Sequence, residues 1–360
     1  MSGKLSFYSP SIPKDNNGRV YYFDNLKFML ILLVVIGHYI DPFSDTFPIF
    51  KSAYLFIYTF HMPLFVFTTG FFAKSVMKKD SGFQLGKVIS FFILYVGLSY
   101  GIYFIEYYMD GRDVTYDLFS TGNSSWYLLG CCLWYLMIPV LGNIKPIITI
   151  PILTVLAILA GYAEAIGDFL VFSRVLCFAP FFMAGYYFKA KNVSKITSVH
   201  RSVRLIAFGV LVAVFFILVK YQDYFLQFRG LLTARNSYAI FDSFDDGALY
   251  RAVWFASALI LAYCFMLIVP KTKLFFTKLG QNTLQTYVWH LLALRLLGCI
   301  SLVSIVADWT EKSSLTVLFP PALALAVGFV FSLKPPFGYL MNYILRFKFK
   351  FLYRKDTYSK

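Results

Sequence analysis

Charge is scarce in this sequence. Of its 360 residues only 14% are Asp, Glu, Lys or Arg, while 59% are hydrophobic. A soluble domain carries about 25% charged residues. This chain cannot clothe a surface in water, so the solvent it is built for is lipid. Acidic residues are scarcer still, 18 against 33 basic. In a soluble protein a net charge of +15 would raise nucleic acid as a partner. Here the cations sit in short segments between apolar runs, with no soluble basic domain, so nucleic acid is excluded. The five cysteines, Cys131, Cys132, Cys177, Cys264 and Cys299, lie inside apolar runs at spacings that make neither a zinc site nor a disulfide framework. The sequence also lacks a phosphate-binding glycine loop, a metal-ligand pair on one helix face and a nucleophile elbow. No metal site and no soluble-type active site is expected. No cleavable signal sequence, second-domain linker, low-complexity tract or internal repeat stands out, and the first apolar helix is expected to direct insertion.

What is present is a series of apolar stretches near 24–42, 52–73, 88–108, 124–142, 147–163, 169–188, 204–220, 249–269, 282–306 and 314–332. Most have the length needed to cross about 30 Å of hydrocarbon as a helix rising about 1.5 Å per residue. The first and fifth are the weakest. The pattern predicts an all-α, polytopic transmembrane bundle of about ten spans. Segments 1–23, 74–87, 143–146, 189–203, 270–281 and 333–360, with flanking Lys27 and Arg204, hold 24 of the 33 Lys and Arg. The opposite loops and their flanks hold seven, and Arg174 and Arg295 lie within stretches. That asymmetry puts the first set and both termini in the cytoplasm. The chain divides into a cytoplasmic segment 1–23, a membrane domain 24–332 and a basic tail 333–360, in a multi-pass protein of the cell (plasma or inner) membrane. The tail can lie along the inner leaflet. The longest outer loop, 221–248, mixes aromatics with Arg229, Arg235, Asp242, Asp245 and Asp246.

Ionisable groups inside a span are costly and mark functional positions. Three of the four histidines, His38, His61 and His290, fall in spans, whereas His200 lies in a basic inner loop. Lys27 and His38 are eleven residues apart, nearly three whole helical turns, so they share a face about 16 Å apart along the axis. This suits a long molecule with an anionic head at the membrane surface and a reactive tail within. It equally suits a snorkelling lysine and an imidazole bonded to a neighbouring helix. Pro63, beside His61, fits either a broken helix lining a cavity or an ordinary kink. Asn282 or Thr283 is expected to cap the ninth helix. Arg174 and Arg295 each require a partner, and Glu106 sits within reach of water at the outer end of the third stretch. Gly97 and Gly101 form a small-residue pair expected to pack helices.

The run Arg19, Asp24, Asn25, Leu26, Lys27, leading to Val34, Val35, Ile36, Gly37 and His38, resembles the opening of the acyltransferase family 3 membrane proteins, whose signature is a basic residue, ten positions, then histidine. Phe60, His61, Met62, Pro63, Leu64 and Phe65, with Thr69, Gly70 and Phe71, are similar to the second-helix motif of the branch typified by fucose 4-O-acetylase relatives. The family more often has serine where this chain has Thr69. Ser124 to Leu128, Arg174 with Pro180 to Phe182 and Gly185, and Leu279-Gly280 through Tyr287 and His290 also look like family motifs. The resemblance covers most of the chain. It implies an O-acyltransferase, with acetyl preferred, moving an acyl group from cytoplasmic acyl-CoA to a hydroxyl of a capsular, exopolysaccharide or other cell-surface sugar, free or lipid-linked.

On that implication Lys27, with Asp24 beside it, and the inner-loop cations Lys74, Lys78 and Lys79 hold the anionic head of acyl-CoA. His38 acts as general base, or as a transient acyl carrier. His61, His290 and Arg174 orient groups or stabilise charge. Trp126, Asp242, Asp245 or Asp246 hold the sugar. Acyl-CoA is a substrate, and no permanent cofactor is expected. Buried charges and a proline-interrupted helix also fit an exporter of a glycan or lipid-linked sugar, although no paired interrupted helices appear in corresponding halves.

Overall fold

The computed structural model describes residues 12–16, 18–78, 82–119, 124–167, 169–241, 243–310 and 313–346. Apolar runs with no period-two alternation satisfy their backbone groups internally as helices. The first eight are α1 Tyr21–Ile40, α2 Ile49–Ala73, α3 Leu85–Phe104, α4 Trp126–Leu141, α5 Pro146–Leu159, α6 Phe172–Tyr187, α7 Ala190–Thr197 and α8 Arg201–Lys220. Two short helices follow, α9 Gln222–Leu226 and α10 Arg229–Leu232, and then α11 Gly247–Ile268, α12 Thr283–Cys299, α13 Leu302–Thr310, α14 Phe319–Ser332 and α15 Gly338–Arg346. Strands are confined to one small hairpin, β1 Met77–Lys78 against β2 Gly82–Phe83, among the described residues.

Each of the ten apolar stretches is helical, but they are not ten equal spans. Six helical segments are long and apolar enough to cross a membrane: Tyr21–Phe43, Ile49–Val76, Leu85–Met109, Arg201–Lys220, Gly247–Ile268 and Ser314–Ser332. A seventh results if α12 and α13 are taken together, although they are bent by 69°. The bend falls where Ser301 turns left-handed, at φ 53°. α4, with 16 residues, and α5, with 14, fall short of a full crossing. α2 runs through Pro63 without a break, so the broken-helix alternative does not hold. Asn282 makes no side-chain cap bond; its amide reaches Ser332 O on α14 at 2.8 Å.

Cross-bonds define the two ends of the bundle. At one end the Tyr22 hydroxyl bonds Met266 O at 2.8 Å, and Asn25 Nδ2 bonds Pro270 O and Thr272 O, each at 2.9 Å. These tie the start of α1 to the end of α11. At the other end Ser52 bonds Gln222 at 2.8 Å, tying the start of α2 to the segment after α8. That segment covers the bundle end, anchored by the buried Tyr238, whose hydroxyl bonds Ile158 O at 2.8 Å. α15 lies against α3, where Ser90 bonds Ile344 O at 3.1 Å. It exposes Tyr339 and Tyr343, and the basic stretch 347–360 lies outside the described residues.

α2 and α6 cross closely through glycine. A Cβ on Gly70 would lie 1.9 Å from Phe182 O, and one on Gly185 would lie 1.9 Å from Phe67 O. The expected Gly97 and Gly101 pair does not do this. Gly97 faces open space, and Gly101 meets only the side chain of Leu292. Gly70→Ala or Gly185→Ala should therefore cost about 3 kcal/mol through overpacking. Gly97→Ala should leave stability unchanged or slightly raised, since alanine favours helix. Thermal unfolding of the detergent-solubilised variants checks the contrast.

Candidate active site

α1 carries the polar groups that lipid could not tolerate, and the bundle encloses them. Asp24 and Asn25 are 3% and 0% exposed. Asp24 Oδ1 pairs with Lys27 Nζ at 3.0 Å and with Arg19 Nη2 at 2.9 Å. Two cations around one carboxylate leave the cluster with one net positive charge. The Lys27 ammonium also lies 5.4 Å from the Phe72 ring centre. Gly280 makes room for this turn, because a Cβ there would lie 1.8 Å from Asp24 O.

Lys27 and Leu30 line one chamber of about 220 Å³ with Phe65, Thr68, Thr69, Phe72, Phe91, Tyr127, Tyr135, Thr283, Leu284 and Tyr287. One turn further along α1, Val34 and His38 line a second chamber of about 140 Å³. It is walled by Tyr54, Tyr58, His61, Met62, Ser124, Trp126, Arg174, Phe178, Leu232, Thr233 and Tyr287. The eleven-residue spacing thus puts Lys27 and His38 on one face of α1, each against a chamber. A larger groove of about 610 Å³, lined by Arg201, Arg204 and Lys271, is open at the bundle edge and carries no histidine. The chemistry-bearing side chains converge on the two chambers, and the site is assigned there.

Two imidazoles, His38 and His61, line the second chamber, and a third, His290, lies against His38. The His38 and His290 ring centres are 5.4 Å apart, and Tyr58 lies 4.7 Å from His61 and 6.5 Å from His38. His61 Nδ1 meets Ile57 O at 2.7 Å, and His290 Nδ1 meets Thr286 O at 2.8 Å. A carbonyl only accepts, so the neutral rings carry their proton on Nδ1 and leave Nε2 basic. His290 Nε2 and His38 Nδ1 are buried with no hydrogen-bond partner in the structure. Both nitrogens are therefore available to a group that enters the site. Among the described residues, no group of three or more His, Cys, Asp or Glu is placed to hold a metal ion.

The remaining expected residues separate clearly. The Arg174 guanidinium lies 5.2 Å over Trp126, whose ring stacks on Phe178 at 5.4 Å, so all three form one wall of the His38 chamber. Arg295 finds its partner in Glu106, Nε to Oε1 at 3.2 Å. Lys74 is held by Phe188 O at 2.5 Å and lies over Phe71, so it is not brought to the Lys27 chamber. Asp245 is exposed and away from the chambers, its main-chain oxygen accepting from Tyr162 at 2.9 Å. Lys79 and Asp242 lie outside the described residues, as does the side chain of Lys78.

Sequence reasoning missed Tyr54, Tyr58 and Thr233. Tyr54 and Tyr58 stack at 3.7 Å and sit one turn apart on α2, below His61. That periodic Tyr-Tyr-His face was available as a signal. Arg229 covers the stack, its guanidinium 4.5 Å from the Tyr54 ring and its Nη2 2.6 Å from Asp41. Thr233 comes from the long loop, and no sequence feature marks it.

With this geometry in view, comparison with known proteins is decisive at one level. The family model described as an acyltransferase domain, Acyl_transf_3, matches residues 20–334. The chain belongs to this acyltransferase family. The match spans α1 to the end of α14 and so includes both chambers. No curated protein and no solved structure matches the chain. Family membership and the apolar helices together make this a membrane acyltransferase. Thr69, where the family more often has serine, keeps the hydroxyl in use: it bonds Phe65 O at 2.9 Å and the Tyr127 hydroxyl at 2.7 Å.

The Asp24 cluster yields a direct test. Asp24→Asn leaves Lys27 largely buried without its counter-charge and should destabilise the protein by about 3 kcal/mol, the usual result of breaking a buried pair. Adding Lys27→Met should recover most of that loss. A double-mutant cycle on thermal unfolding measures the coupling.

Proposed function

We propose that this protein is a membrane O-acetyltransferase of the fucose 4-O-acetylase-like branch. It moves an acetyl group from cytoplasmic acetyl-CoA to a hydroxyl of a cell-surface or capsular sugar, free or lipid-linked. The observation that carries this reading is the pair of chambers stacked along α1, with Lys27 lining one and His38 and His61 lining the other, His290 lying against His38. A donor with an anionic head and a long neutral arm matches that order. The excess of Lys and Arg on the Lys27 side supports a cytoplasmic entrance, both termini inside and a place in the cell membrane.

In this scheme Lys27, steadied by Asp24, holds a phosphate of coenzyme A as a point-charge contact. The pantetheine arm runs between Thr68, Thr69, Leu30 and Leu284 toward His38. The acceptor enters the His38 chamber, where Trp126, Tyr54 and Tyr58 offer ring faces and Arg174, Ser124 and Thr233 offer polar contacts, the mix expected of a small-molecule site. The acceptor hydroxyl oxygen attacks the thioester carbonyl carbon. Its C–O bond forms as the C–S bond breaks, and the hydroxyl proton passes to an imidazole nitrogen of His38 and then to the departing thiolate. The products are the acetyl ester and free coenzyme A. His290 and His61, both basic at Nε2, sit beside the charge that develops on His38, and Arg174 faces the carbonyl oxygen as it becomes anionic.

The deciding experiment supplies labelled acetyl-CoA and the host's surface glycan, or its lipid-linked precursor, to membranes carrying the protein or its variants. His38→Ala should lower transfer on the order of 10²- to 10⁴-fold, the range for loss of a general base. Lys27→Met should raise the donor KM about 10-fold with little change in kcat, because a charge-assisted contact contributes to binding throughout the reaction. Equal transfer by wild type and His38→Ala would remove His38 from the chemistry. No transfer to any glycan, with altered glycan export from cells, would favour a transporter instead.

A further inference from the structure

The two chambers share one lining residue, Tyr287. α1 and α12 run side by side here. Gly280 packs on Asp24 at the lower level, and Tyr39 bonds His290 O at 3.2 Å at the upper level. Tyr287 lies between them on α12, one turn beyond Leu284 of the Lys27 chamber and one turn before His290. Its ring is 4% exposed and meets Tyr127 edge-on at 5.2 Å and His290 at 5.9 Å. Its hydroxyl donates to Ser124 O, which belongs to the wall of the His38 chamber.

We infer that Tyr287 is the partition between the donor and acceptor chambers, and that its ring sets the length of acyl group the enzyme can use. This rests on the acyltransferase scheme above. On that scheme, the thioester carbonyl must come past the Tyr287 ring to reach an oxygen held at His38. Whatever trails from the carbonyl carbon must then fit the roughly 140 Å³ chamber alongside the acceptor. A two-carbon group adds one methyl there, whereas a four-carbon chain extends into the space that Tyr287 fills. The ring, wedged between Tyr127 and His290, stands across the passage and keeps the acceptor chamber's water away from a waiting thioester. Without the ring, water can replace the sugar hydroxyl: its oxygen bonds the carbonyl carbon, the C–S bond breaks, and acetate and free coenzyme A result.

The test measures coenzyme A release from acetyl-CoA and butyryl-CoA by purified wild type, Tyr287→Phe, Tyr287→Leu and Tyr287→Ala, each with and without acceptor. In Tyr287→Ala and Tyr287→Leu the butyryl-to-acetyl ratio should rise about 10-fold or more, the usual discrimination carried by a methylene or two at a tight wall. Acceptor-independent release should rise with it. Tyr287→Phe keeps the ring and should keep the wild-type donor ratio, so a change in that variant would assign the effect to the hydroxyl and overturn the steric partition. An unchanged ratio in both small-residue variants, with wild type active, would overturn it as well. If wild type released coenzyme A with neither donor under any acceptor, the acyltransferase scheme itself would fall, and the partition with it.

Discussion

Lipid offers no hydrogen bonds, so every polar group carried into the bilayer must find its partner inside the protein. α1 brings Asp24, Asn25, Lys27, His38 and Tyr39 into one helix, and this burden shapes its surroundings. Asn25 Oδ1 accepts from Thr277 at 2.6 Å while its amide bonds two carbonyls of the loop after α11. Asp24 gathers Arg19 and Lys27, and Tyr39 reaches the main chain of α12. A helix so burdened cannot face lipid. α2, α12 and α14 enclose it, and the enclosure creates the two chambers on its polar face.

Most polar groups around α1 are met, which gives weight to those that are not. His38 Nδ1 and His290 Nε2 stay without partners although their rings are only 5.4 Å apart. On the proposed scheme His38 takes the acceptor proton, and a ring nitrogen without a protein partner suits that role.

The segment between α8 and α11 contributes to the second chamber as well as covering it. Leu232 and Thr233 reach its wall, Arg229 ties α10 to Asp41, and Ser173 bonds Ala234 O at 2.8 Å. The buried Arg251 holds the segment from below, Nη1 to Leu231 O at 2.9 Å. Of the aromatic residues in the loop, Tyr238 acts as packing, whereas Tyr221, Tyr224 and Phe244 are exposed.

How much was legible beforehand follows from the range of the forces involved. Helix content, membrane solvent and the shared face of Lys27 and His38 come from composition and from the 3.6-residue repeat, which are local properties of the chain. The Lys27–His38 spacing and the later motifs pointed to the family that the matching domain model established. Glu106 as the partner of Arg295, the Gly70–Gly185 crossing in place of Gly97 and Gly101, and the unbroken helix at Pro63 could not be read, because each depends on which helices lie against each other. The same holds for the chambers. Lys74 is sequestered at the end of α6 and Asp245 faces away, while Tyr54, Tyr58 and Thr233 arrive from elements distant in sequence. Most telling is Tyr287, which the sequence marks only as part of a motif and which lines both cavities because α12 runs alongside α1. Periodicity determines which face of a helix is special; only packing decides what that face meets.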